Sequence, residues 1–193
     1  MDSKQDLPII AFASQQAWEA WLAEHHATSR GVWLKIAKKD AGIATVSYAE
    51  ALDSALCYGW IDGQKASHDE QSWLQKFTPR GRKSSWSRVN RDKAIELQRQ
   101  GRMQPAGLAQ VEQARRDGRW EAAYEAQSRA TVPDDLRREL DRNPAAGAFF
   151  ASLDSRNRYA ILYRLQDARK PETRARRLVQ FVAMLNERKK LYP

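Results

Sequence analysis

Residues 47–77, SYAEALDSALCYGWIDGQKASHDEQSWLQKF, contain the change of pattern that decides the fold. Ser47 with Glu50 three residues later makes a capping box, in which each side chain satisfies an amide that a helix start leaves open. Tyr48, Leu52, Ala55 and Leu56 then fall on one helical face, and Gly59 supplies the left-handed residue on which such a helix stops. Beyond it, WID at 60–62 and SWLQKF at 72–77 read as two strands of a hairpin, separated by the polar residues 64–71. Helical period gives way to strand period within a few residues, so the chain mixes both element types.

The flanking residues carry the same mixture. Residues 7–13 form a short apolar run suited to a strand, and Ser14 stands at the N-cap position before Trp18, Trp21 and Leu22 at helical spacing. After Gly31, VWLKIAKK alternates Val32, Leu34 and Ile36 against Trp33, Lys35 and Ala37, and residues 40–42 supply turn chemistry. Beyond Arg80 the pattern is almost wholly helical, over 87–100, 105–117, 133–142, 144–153, 156–168 and 171–189. Pro105, Pro133, Pro144 and Pro171 sit where a first helical residue is expected, and Gly101 and Gly118 where helices stop. The expectation is an α+β protein, with a small antiparallel sheet in the N-terminal half and a predominantly helical C-terminal half. Two regions, 1–130 and 131–193, are expected to pack as one unit.

Composition bounds the function classes. The chain has 193 residues, 42% of them hydrophobic, with seven tryptophans, enough to bury a core without disulfides and too apolar for wholesale disorder. The opening MDSKQDLPII lacks the basic start of a secretory signal, and charges interrupt every apolar run well short of the roughly 20 residues a membrane span requires. With Cys57 as the only cysteine, the expectation is a soluble, cytoplasmic protein without a transmembrane segment.

The formal charge of +9 is unevenly placed. Residues 1–75 hold six basic and ten acidic residues, net −4, whereas 76–102 hold nine and two, net +7. Residues 158–190 hold ten and three, again net +7. Two segments therefore carry more than the whole net charge, and an anion meets them first.

Common catalytic signatures are missing. His25 and His26, adjacent on a helix, point about 100 degrees apart and cannot share a metal as an i, i+4 pair does. His68 in HDE reads as solvated surface. There is no GxxxxGK[ST], GxGxxG or GxSxG, so no cofactor, metal or catalytic residue is assigned. Cys57 near a helix C-terminus, where the dipole opposes a thiolate, reads as packing.

Three stretches read as binding chemistry. In FTPRGRKSSWSRVN, residues 77–90, Arg80, Arg82, Lys83 and Arg88 surround Gly81, with Trp86 as a flat surface and Asn90 as a polar group. Arginine forks, turn amides and a helix start make an anion cradle. The same residues also read as a Gly turn before a Ser87-capped helix with exposed charges. In CYGWIDG, residues 57–63, Trp60 and Asp62 stand beside two glycines, so Asp62 is either a carboxylate between aromatic walls or a turn residue. The run 157–190 reads as two helices joined at Lys170 and Pro171, with Arg164, Arg169, Lys170, Arg174, Arg176 and Arg177 outside their apolar stripes. Glu172 near those arginines offers internal pairing instead of a ligand.

The ordered blocks SYAEALDSALCYGWIDGQ, FTPRGRKSSWSRVN, GRMQPAGLAQ with DGRW, and NRYAILYRLQDARKPETRARR together resemble the YdeI/OmpD-associated, or bacteriocin-protection, family. Tyr58, Gly59, Trp60, Asp62 and Gly63 carry the first motif; Thr78, Pro79, Arg80, Trp86, Ser87 and Asn90 the second; Lys170 to Arg174 the last. The resemblance implies a bacterial stress protein associated with tolerance of antimicrobial peptides, and transfers no catalytic role. Two readings stand beside it. One is a non-catalytic protein whose basic segments engage an anionic partner: nucleic acid, an acidic protein or a lipid surface. The other is a small-molecule binder or enzyme with a pocket around Asp62, Trp60, Arg80 and Trp86 for a phosphate- or carboxylate-bearing ligand. The sequence leaves the oligomeric state open.

Overall fold

The computed structural model describes residues 7–125, 130–168 and 170–193. The described chain forms two units. One holds the described residues up to Trp86 together with Asn90–Glu121; the other holds Ser87–Val89 and Ala122–Pro193. The division falls near residue 121, and three residues of the basic segment go with the C-terminal unit.

In the first unit the elements are β1 (Ile9–Ala11), α1 (Gln15–His25), β2 (Val32–Ala37), α2 (Tyr48–Cys57), β3 (Trp60–Ser67) and β4 (Ser72–Pro79). Then come α3 (Arg88–Arg99), whose first two residues belong to the other unit, and α4 (Pro105–Arg116). The sheet order is β1-β2-β4-β3. β2 with β4 and β4 with β3 run antiparallel, but β1 pairs parallel with β2, Ile9 opposite Trp33. The sheet is thus mixed rather than antiparallel, because α1 carries the chain back before β2 begins, as a parallel neighbour requires.

Ser47 and Glu50 close the capping box in both directions, at 3.3 Å and 2.9 Å. Along β2, Val32, Leu34 and Ile36 are buried in alternation and share a sheet face with Phe77. Trp18 lies against that layer, 5.8 Å from the Phe77 ring and edge-on to Trp60 at 6.3 Å. Both indoles are satisfied: Trp18 donates to the Ala51 carbonyl and Trp60 to the His26 carbonyl, each at 3.1 Å. α4 meets the end of α2 at Gly107, where an added Cβ would stand 2.2 Å from the Cys57 carbonyl oxygen.

The second unit is helical: α5 (Asp134–Arg142), α6 (Pro144–Ser152), α7 (Ser155–Gln166) and α8 (Pro171–Asn186). Leu136, Ala146, Phe150, Ile161, Leu165 and Leu185 build its core. Pro144 and Pro171 occupy first helical positions, while Pro133 stands one residue earlier, at the N-cap of α5. Asp154 caps α7 by accepting the Asn157 amide at 2.8 Å. The buried Asn157 side chain then clamps the C-terminal tail. Its carbonyl accepts the amides of Leu191 and Tyr192, and its NH2 donates to Asp154 and to the Tyr192 carbonyl.

Among the described residues no helix is long and apolar enough to cross a membrane.

Candidate anion-binding site

The turn of residues 80–86, between β4 and α3, presents cations on a braced base. Arg80 is buried over the Trp86 ring, its guanidinium carbon 3.6 Å from the ring centroid. Arg80 donates to the Ser85 carbonyl at 3.3 Å, and its amide donates to Gly59 at 3.0 Å, tying the turn to the start of β3. Trp86 packs edge-on to Trp120 at 4.9 Å.

A second buried arginine holds the tip. Arg119 donates to the Ser84 carbonyl at 2.8 Å while its fork grips Asp117 at 2.8–2.9 Å, holding that carboxyl near a pKa of about 2. Across the tip, Ser84 donates its amide to Gly81 at 2.9 Å and its hydroxyl accepts the Gly81 amide at 3.0 Å.

Arg82 and Lys83 are the two residues at that tip. Both are exposed, and among the described residues neither side chain has an ion-pair partner and neither backbone amide a hydrogen bond. The Trp86 indole N–H is buried without a hydrogen-bond partner among the described residues. The turn can therefore offer an oxyanion one guanidinium fork, one ammonium and two amides without displacing a carboxylate.

Of the other expected cations, Arg88 and Arg174 are engaged. Arg88 belongs with the second unit, where it pairs with Glu125 and donates to the Ala123 carbonyl. Arg174 grips both oxygens of Asp135 at 2.6 and 2.9 Å and donates to the Leu165 carbonyl at 2.7 Å. These two arginines, far apart in sequence, line one cavity of about 380 Å³ with Glu125, Tyr159, Tyr163 and Gln166. Tyr159 donates to the Glu125 carbonyl, and burial pushes its phenol up to about 12. Lys170 is exposed, without an ion pair among the described residues, whereas Arg177 faces Asp167 at 3.8 Å; Arg169 lies outside the described residues.

Around Asp62 the aromatic walls are filled by packing. Trp60 is buried in the core, and the Asp62 carboxylate accepts the Tyr48 hydroxyl at 2.9 Å. Burial and that carboxylate together push the Tyr48 phenol above its ordinary range. Asn90 is buried in the first turn of α3. Burial also pushes the Cys57 thiol up to about 11, so it is a poor nucleophile.

Nothing local in the sequence marks Arg119, whose hold on Ser84 spans 35 residues, or a group of lysines around Trp73. Lys38, Lys39 and Lys65 fall within the acidic 1–75 segment, where net charge masks them. Among the described residues no group of three His, Cys, Asp or Glu side chains could hold a metal ion.

A family model described as a domain of unknown function, DUF8412, matches residues 10–110, which include the whole 80–86 turn. A second, described as bacteriocin-protection, YdeI or OmpD-associated, matches residues 129–188. No curated protein matches, and no solved structure matches.

Proposed function

The chain belongs to the DUF8412 family and carries a bacteriocin-protection, YdeI or OmpD-associated segment at its C-terminal end, and from that premise we propose a non-catalytic cytoplasmic protein that binds an anionic partner. The binding surface is the 80–86 turn. One observation carries the reading: Arg82 and Lys83 stand exposed and, among the described residues, without acid partners on a base that the Arg80–Trp86 stack and Arg119 make rigid. A preformed turn loses little entropy on binding, so its charge serves affinity rather than offsetting the cost of ordering.

The charge also bears on how such a protein serves antimicrobial tolerance. A formal +9 repels cationic peptides, which disfavours their direct capture and favours a partner of opposite sign. Burial of Trp60, Arg80 and Trp86 speaks against a small-molecule pocket among them.

The test is titration of fluorescently labelled duplex DNA and of anionic phosphatidylglycerol vesicles with the purified protein. The reading expects saturable binding to at least one of them that weakens as salt rises. Absence of binding to both at low salt contradicts it.

A further inference from the structure

We propose that a lysine-lined basin at one end of the first unit's sheet is a separate site for a small soluble phosphate chain, of the pyrophosphate or triphosphate class. The basin has a volume of about 590 Å³ and is lined by Lys38, Lys39, Lys65, Ser67, Ser72 and Trp73, where β2 ends beside the β3–β4 hairpin. Among the described residues three cations line it and no carboxylate does.

Two of the ammonium groups are placed in advance. Lys38 donates to the carbonyls of Asp69 and Glu70 at 3.1 and 2.8 Å, which fixes its head and leaves one of three N–H donors for a ligand. Lys65 sits 4.2 Å over the Trp73 ring. Tyr48 lies 6.2 Å from that ring with its hydroxyl on Asp62, so the Asp62–Tyr48 pair supports the surface on which Lys65 rests. The Lys39 ammonium and the Ser67 hydroxyl have no partner among the described residues.

The neighbouring acids are turned to other work or to solvent. The Asp69 carboxylate accepts the Ser72 hydroxyl at 2.7 Å and pairs with Lys35 at 3.1 Å, and these two partners hold it well below the usual carboxylate range; it also faces His68 at 3.7 Å. Asp40 and Glu70 are exposed. Each ammonium group acts as a compact point charge with three rotatable donors, so several of them suit phosphate oxygens spread over several directions. Three of them around a basin much larger than one phosphate fit a chain of two or three phosphoryl groups.

This site is independent of the 80–86 turn, and its test separates the two. The full chain, labelled with 15N, is titrated with sodium triphosphate and, in parallel, with orthophosphate and phosphatidylglycerol vesicles. Calorimetry follows triphosphate binding to the native protein, to Lys39→Gln/Lys65→Gln and to Arg82→Gln/Lys83→Gln. The expected result is saturable triphosphate binding, tighter than orthophosphate, with amide shifts at Lys38, Lys39, Lys65, Ser67 and Trp73. Affinity falls at least about tenfold in the lysine pair and is unchanged in the turn pair. All four substituted residues are exposed, so unaltered melting temperatures are expected to accompany these results. Absence of triphosphate binding overturns the proposal. So do shifts confined to residues 80–88, equal affinity in the lysine pair, or a response to vesicles alone.

Discussion

Arg174, in the first turn of α8, holds both carboxylate oxygens of Asp135, in the first turn of α5, at 2.6 and 2.9 Å. This two-pronged bond joins the start of α5 to the start of α8, and the same guanidinium caps the Leu165 carbonyl near the end of α7.

Asp135→Ala leaves Arg174 partly buried without its acid and is expected to cost about 2 kcal/mol, within the range for hydrogen bonds to charged groups. The Arg174 fork lowers the Asp135 pKa in the folded state. Its contribution is therefore fully present above the unfolded carboxylate value and is lost as pH falls through the folded one. Urea unfolding of both proteins across the acid range checks this: the gap between native and variant narrows as pH drops.

Gly107→Ala places a Cβ 2.2 Å from the Cys57 carbonyl oxygen, and backbone rather than a flexible side chain must move. The expected cost is about 1–3 kcal/mol, as for other overpacked sites. The denaturation midpoint falls with an unchanged slope if only this packing is disturbed.

Asn157→Ala removes the acceptor of the Leu191 and Tyr192 amides and the donor to the Tyr192 carbonyl. The tail should detach locally before the helices unfold. Hydrogen exchange is expected to speed up at Leu191 and Tyr192, with a stability loss of about 1–3 kcal/mol.

Much of the architecture was legible because local chemistry dictated it. The Ser14 and Ser47 caps, the alternation of Val32, Leu34 and Ile36, the hairpin after Gly59, and Pro105, Pro144 and Pro171 at helix starts all act within a few residues. The parallel pairing of β1 with β2 was not legible, since a three-residue strand carries no sign of direction. For the candidate site, the sequence names Arg82 and Lys83 as cations but cannot separate them from Arg80, Arg88 or Arg174. What distinguishes these is partnership at a distance: a tryptophan face, Glu125 and Asp135. Arg80 shows the difficulty best, because a guanidinium is expected in water and here it is buried on an indole.

The most direct measurement is the salt dependence of duplex DNA binding by the native protein and by Arg82→Gln/Lys83→Gln. The variant is expected to bind more weakly, at unchanged melting temperature, with a log-log salt slope shallower by about 0.9 for each phosphate that it no longer neutralises. A variant that binds with the native affinity and the native slope would contradict the assignment of the 80–86 turn as the place where the anionic partner is held.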